Sequence, residues 1–377
     1  MIYGAVTRGT AAEPRTRHVI GMLRPPVWLR ARALALAVPL AGACGKHDST
    51  SPSDPTGQNP FGLTTTGPGL LSVSPIDTTQ WMASTPLGSL APPGHVLPTD
   101  HVYVYFVDAW SGNQQANDCS KRAVRAAGSG VVTLVLVTEA AGDTKVMIQM
   151  TKTFGYYYDH VILKSGIQQG THVAAGDTIG TTTGRCPSFD LGVWDLDVTL
   201  PGIITPVRYA DQNLHAASPY KYFPEPLRSY YYRHVRLIDG VPANKDGRID
   251  YGIAGKLSGD WFHSSIAVDR FSTGTSDGWA HTIGFVYDWY SGATRVSIGG
   301  TIAGPGLYGV AATDPDPATV STASGPVAYQ LHFLQGTSGV SWLLVQMTAD
   351  DKIRVEPFAT GASRPTAFTA AAQNYLR

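Results

Sequence analysis

Residues 156–195 read YYYDHVILKSGIQQGTHVAAGDTIGTTTGRCPSFDLGVWD, and the fold turns on how this stretch is parsed. An aromatic strand runs into Asp159-His160, and a second strand, Val161-Ile162-Leu163, follows. A turn closes at Gly170. Val173 to Gly180 leads into a Gly/Thr run, and a last strand, Leu191-Gly192-Val193-Trp194, ends in Asp195. Short β-prone segments separated by Gly at regular spacing predict a small all-β sandwich or barrel.

The same residues resemble a family. Tyr158-Asp159-His160-Val161 resembles the aromatic-x-x-His-Leu strand of the lysostaphin/LytM-type zinc endopeptidases. Residues 173–180, VAAGDTIG, match that family's V-x-A-G-(D/Q)-x-I-G turn. Residues 124–132, VRAAGSGVV, resemble its V-x-A-x-x-x-G-x-V strand-turn-strand, so the likeness runs in order from about His95 to Asp195. The resemblance implies a duplicated-hybrid-motif β-sandwich. It also implies a zinc held by His, Asp and His, with further His side chains for proton transfer.

Mapped onto this chain, His101 takes the first ligand position, and Tyr105 stands where the Asp ligand belongs. The closing His-Leu-His strand is Asp190-Leu191-Gly192 here, so Asp190 replaces one His and Gly192 the other, the third ligand. His160 keeps the place of the catalytic His. A catalytic zinc needs three protein ligands and one open position, and a phenol is a poor substitute for a carboxylate. Two expectations follow. In one, the fold is kept for binding or regulation, no cofactor is expected, and Asp159, His160 and Asp190 line a polar groove or make structural hydrogen bonds. In the other, His95, Asp100, His101, His160 and Asp190 form a rearranged zinc site, with His101, His95 and Asp190 as metal ligands and His160 as the catalytic group. Asp195 and Asp197 read as structural or solvated carboxylates.

Outside this region the N-terminus carries an export signal. A basic lead-in, Arg24 to Arg32, precedes a short apolar run, Ala33 to Leu40, and small residues before Cys44. That is the layout of a secretory signal, and a Cys at the cleavage point resembles the bacterial lipoprotein signal, which implies lipidation of Cys44. Either Met1 or Met22 fits as the start. Residues 44–69 read as a polar tether. The expected location is a lipid-anchored cell envelope, the outer membrane where one exists. Cys119 and Cys186 are the remaining thiols, an even pair that fits one disulfide in an exported protein.

The 377 residues suffice for two domains, expected at 70–227 and 228–377. Lys+Arg and Asp+Glu are both 28, so no basic nucleic-acid surface is indicated. No apolar stretch long enough to span a bilayer follows the signal. In the second domain, Tyr230 to Arg236 is a strand candidate. Strands around 283–288, 293–298, 327–333, 342–347 and 352–356 predict a C-terminal antiparallel β-barrel-like domain. A barrel can hold a small apolar ligand, which makes a carrier a further alternative. The expected partners are a cell-wall polymer such as peptidoglycan or another envelope protein, with membrane contact through the lipid anchor alone.

Overall fold

The computed structural model describes residues 61–107, 120–137, 142–184, 188–236, 244–268 and 276–377. The signal segment, Cys44, Cys119 and Cys186 lie outside the described residues. No helix among the described residues is long and apolar enough to cross a membrane.

The first part is an antiparallel sheet of ten strands: β1 (Ala83–Ser84), β2 (His101–Tyr105), β3 (Ala123–Arg125), β4 (Gly130–Val137), β5 (Thr144–Gln149), β6 (Phe154–Leu163), β7 (His172–Val173), β8 (Thr178–Thr182), β9 (Ser188–Asp195) and β10 (Ala216–Ala217). The main order is β1-β2-β9-β6-β5-β4-β7, with β10 beside β9 and β8 pairing with β3 and β6. Strand alternation sorts the side chains by face. Val102, Val104, Phe189, Leu191, Val193, Tyr156 and Tyr158 all pack into one buried core. The two tyrosines can be buried there because their hydroxyls donate to backbone carbonyls, Tyr156 to Gly128 (2.8 Å) and Tyr158 to Arg125 (2.9 Å). Alternate residues on β2, β6 and β9 face the other way and build the site described below.

Two sequence expectations change here. The strands expected before and after His160 are one strand, β6, bent at His160, whose φ of 65° is the left-handed value that non-glycine residues seldom adopt. Tyr230 to Arg236 is no strand. Leu227–His234 is a helix, α2, which follows the small helix α1 (Asp211–Leu214). Pro226 at its N-terminus favours helix entry. The aromatic run suggested a strand, but the helix places Tyr231 under Trp81 at 4.1 Å between ring centroids and leaves Tyr230 to donate to Thr78. Tyr231, Val235 and Ile249 belong to the first core, so the boundary expected at 227/228 falls inside α2.

The second part is a closed antiparallel barrel in simple meander order: β11 (Gly259–His263), β12 (Thr282–Tyr287), β13 (Thr294–Ile298), β14 (Gly306–Val310), β15 (Val327–Gly336), β16 (Val340–Ala349), β17 (Lys352–Ala359) and β18 (Gln373–Leu376), the last pairing back onto β11. A short helix, α3 (Ser276–Ala280), precedes β12. Trp261, Phe285, Tyr308, Tyr329 and Tyr375 pack with Leu343, Val345, Met347 and Ile353 in its interior. Aromatic side chains of the protein itself therefore occupy the space where a carrier would place an apolar ligand.

The barrel and the sheet meet along a seam. Leu97, Leu200, Ile203 and Tyr209 pack with Phe262 and Ile266. Tyr209 donates its hydroxyl to Asp260 at 2.7 Å, and the fully buried Arg208 lies 4.5 Å over the Phe262 ring. Close contact at Gly284 sets Val96 and Leu97, beside His95, against β12.

Candidate functional site

The register of three strands lays out the site. Across β2, β9 and β6, His101 faces Gly192, which faces Tyr157. In the next row of the same face, Tyr103 faces Asp190, which faces Asp159. Strict alternation would send His160 to the core face. The left-handed bend instead brings its ring to the site, where Nε2 lies 3.7 Å from Asp190 Oδ2.

A chain of five side chains results. Asp100 Oδ1 is 2.9 Å from His101 Nδ1, and His101 Nε2 is 3.4 Å from Asp190 Oδ2. From Asp190 the chain passes to His160 Nε2, and His160 Nδ1 is 3.0 Å from Asp143 Oδ2. Asn213 on α1 donates to the other oxygen of Asp100 at 2.7 Å. Asp100, His101, Asp143 and Asp190 are all buried. Burial pushes Asp100 up, but its hydrogen bond to His101 and the charges of Lys145 and His101 outweigh this and hold the carboxyl below its usual range. Burial pushes Asp190 up as well, and there it outweighs the charges of His101, His160 and Lys145, so its carboxyl is raised. His101 is raised because Asp190 and Asp100 together outweigh its burial. An ionised Asp100 can only accept, so His101 carries a proton on Nδ1.

His95 sits in the tight turn closed by reciprocal backbone hydrogen bonds with Ala91. Its ring meets His101 at 5.2 Å, Tyr103 at 6.0 Å and, from the barrel side, Trp279 of α3 at 6.0 Å. Burial, with the neighbouring His101 charge, lowers its pKa to about 3, so this imidazole is neutral across the physiological range. His95 touches His101 ring to ring. The ligand expected from the sequence as its companion, Asp190, is joined to His101 and His160 instead.

Three places correspond to the ligands of the resembled zinc site. His101 is present. Tyr105 is held as a phenol: burial and then the Asp190 charge raise its pKa to about 12, so it offers no phenolate at neutral pH. Gly192 offers nothing, and its space is taken. A Cβ built there would lie 2.1 Å from Tyr157 Cζ, 2.2 Å from Cε1 and 2.5 Å from Oη. The Tyr157 ring is buried, with Lys145 Nζ 4.0 Å over its face and Met147 and Trp194 beside it. Its hydroxyl approaches Asp100 closely enough to lower that carboxyl, although the pair does not reach hydrogen-bond geometry. The residues present do not fit the three-ligand zinc site of the resembled family.

Asp143, Asp159 and His160 form a compact trio of another kind, with one potential ligand atom from each lying within 4.8 Å of the others. His160 N–H also donates to Asp159 Oδ1 at 2.9 Å. Asp195 and Asp197 are apart from this site, and Asp195 accepts from Tyr222 at 2.7 Å, a structural role. Sequence reasoning missed Tyr157 and Asp143. Alternation along YYYDH places the middle tyrosine opposite Gly192, a signal the sequence did contain. Asp143 follows Gly142 in a stretch that matches none of the motifs of the resembled family.

No protein-family model matches the chain, and no curated protein matches it. Solved M23-type peptidases resemble part of it. Csd3 of Helicobacter pylori is 17% identical over 41% of this chain and 34% of its own, with a TM-score of 0.27. The M23 metalloprotease pseudoalterin is 16% identical over 42% of this chain and 89% of its own, TM-score 0.25. The catalytic domain of lysostaphin from Staphylococcus simulans is 15% identical over 32% of this chain and 88% of its own, TM-score 0.22. The chain thus spans about a third of the length of Csd3. These likenesses are partial. The described residues are nearly all-β, a ten-stranded antiparallel sheet followed by a closed eight-stranded barrel.

Proposed function

We propose that this is an exported, lipid-anchored envelope protein whose first domain serves as a binding or regulatory surface for an envelope polymer, peptidoglycan or a chemically similar peptide-bearing glycan. On this reading it does not cut that polymer as a zinc endopeptidase of the resembled type. The observation that carries the reading is the Tyr157 ring in the space above Gly192, beside a Tyr105 that stays protonated. Two of the three ligand places are filled by groups that do not bind zinc, so the Lewis acid and activated water of that mechanism have no holder. What remains is a polar and aromatic face: Tyr103, His95 and Trp279 around buried carboxylates. Aromatic rings with polar edges, set among hydrogen-bonding groups, suit a peptide or sugar chain. Export and anchoring rest on the basic lead-in, the apolar run and Cys44.

Purified sacculi test this directly. The expected result is co-sedimentation of the protein with the sacculi, weakened by Trp279→Ala, with no release of soluble peptide or new amino ends. Release that disappears in His160→Ala, or the absence of any sedimentation, overturns the reading.

A further inference from the structure

The main path of the first sheet has two ends, and they are finished differently. β1 at one end is a two-residue strand whose outer side is taken by the chain after α2. Ser84 bridges Val235, and the Arg236 N–H donates to the Ser84 carbonyl at 3.0 Å. At the other end β7 pairs with β4 at Gly130 and Val131 alone. Val132 is held by the turn before β7, donating to Thr171 and accepting from Gly170. From Thr133 to Val137 the outer edge of β4 has no strand partner among the described residues.

That run reads TLVLV. Leu134 is 39% exposed, Leu136 49% and Val137 65%, while Val135 packs on the core. An open edge is ordinarily blunted by a charged side chain, a proline, a bulge or a covering element, because its free backbone groups recruit another strand. This run has no charge and no proline, and the register shift between Val132 and Leu134 comes before its regular part. From Leu134 to Val137 no side chain offers a polar group to a glycan or a charged peptide. The run does match itself, because Leu-Val-Leu reads the same in both directions about Val135.

We propose that two copies of this chain pair antiparallel through the free edge of β4, about a twofold axis at Val135. Leu134 of one copy then faces Leu136 of the other, and the two Val135 residues meet. Leu134 and Leu136 lie on the same face as their partners on β5, Met147 and Lys145, and Met147 faces Tyr157 on β6. That is the face of the candidate site. A twofold axis normal to the sheet leaves both site faces on the same side. Between the two copies of β9 lie seven strand spacings of about 4.8 Å, or about 34 Å. Residues 133–137 are few beside the roughly 20–30 residues a side of a standard interface, so the pair is weak in solution, with a Kd on the order of 100 µM. A polymer lying across both faces strengthens it by avidity; that consequence rests on the proposed function, whereas the pairing itself does not.

Sedimentation equilibrium of the mature chain, without polymer, tests the pairing. Cys44→Ser is carried throughout so that this thiol forms no disulfide between chains. The expected result is a reversible monomer–dimer equilibrium up to about 0.5 mM, several times the expected Kd. Leu134→Lys and Leu136→Glu should each weaken it by about tenfold or more, since each sets a charge against leucine. Mixing the two variants should restore it, because the new lysine faces the new glutamate. Both positions are exposed, and circular dichroism checks that each variant is folded. A monomer throughout the range overturns the inference even if a variant fails to fold. So does a dimer that neither substitution weakens, a mixture no tighter than the single variants, or association that continues past the dimer. None of these outcomes touches the polymer reading, and a failure to sediment with sacculi leaves the pairing intact.

Discussion

Replacing Gly192 by alanine adds one methyl group, and the structure says where it must go. Its carbon would lie 2.1–2.5 Å from three atoms of the Tyr157 ring. That ring is 1% exposed and is held between Lys145, Met147 and Trp194, so it has no free direction in which to swing. Overpacking of this kind costs about 1–3 kcal/mol, and the rigidity of the neighbours argues for the upper end. Tyr157→Ala alone removes a large buried side chain and should cost about 3–5 kcal/mol. In the double variant the new methyl enters space that the ring has left. The pair should then cost about what Tyr157→Ala costs, leaving a coupling of about 2–3 kcal/mol. Urea unfolding followed by fluorescence gives these values. A neutral Gly192→Ala that adds strictly to Tyr157→Ala would mean the ring does not fill the third ligand place. The argument against the zinc endopeptidase mechanism would fall with it.

Other tests reach other parts of the molecule. Burial raises the Asp260 carboxyl to about 6 against the pull of Tyr209 and Arg377. A raised carboxyl favours folding while protonated, so this contribution is present below about pH 4 and lost as pH rises through about 6. Asp260→Asn should therefore flatten the fall in stability across that window by about 1–3 kcal/mol, read from unfolding midpoints at several pH values. The hydroxyls of Tyr329 and Tyr375 are buried in the barrel without hydrogen-bond partners among the described residues. Phenylalanine at either position should be neutral or stabilising by up to about 1 kcal/mol in thermal unfolding, and a large loss would mean that a bound molecule had been satisfying them. His160→Gly and His160→Ala remove the same imidazole, but only glycine tolerates φ 65° without strain. The glycine variant should be the more stable by about 1 kcal/mol in urea; equal stabilities would refute strain at the bend.

Much of the architecture is legible in the sequence, for identifiable reasons. The turns near Gly170 and Gly176 have positive φ, so glycine marks them. Alternation in residues 101–105 and 188–195 separates a core face from a site face. His101, His160 and Asp190 come together because register pairs β2, β9 and β6 directly. What stayed hidden depends on information that a local pattern lacks. The bend at His160 is a backbone choice made by the surrounding contacts. Asp143 reaches the site only because β5 pairs with β6. The tyrosines of α2 have high strand propensity, yet packing of Tyr231 against Trp81 and Phe223 settles them in a helix. His95, expected as a ligand beside Asp190, sits one ring away because its turn rests on the barrel.

That seam carries a consequence for how such chains can be recombined. The turn bearing His95 is floored by β12, and Arg208 and Tyr209 complete their contacts only on Phe262 and Asp260. The sheet domain is therefore not a cassette. A lineage that exchanged the barrel for another module would have to supply on it a surface matching Leu97, Ile203, Arg208 and Tyr209, and would lose Trp279 from the wall that faces the site.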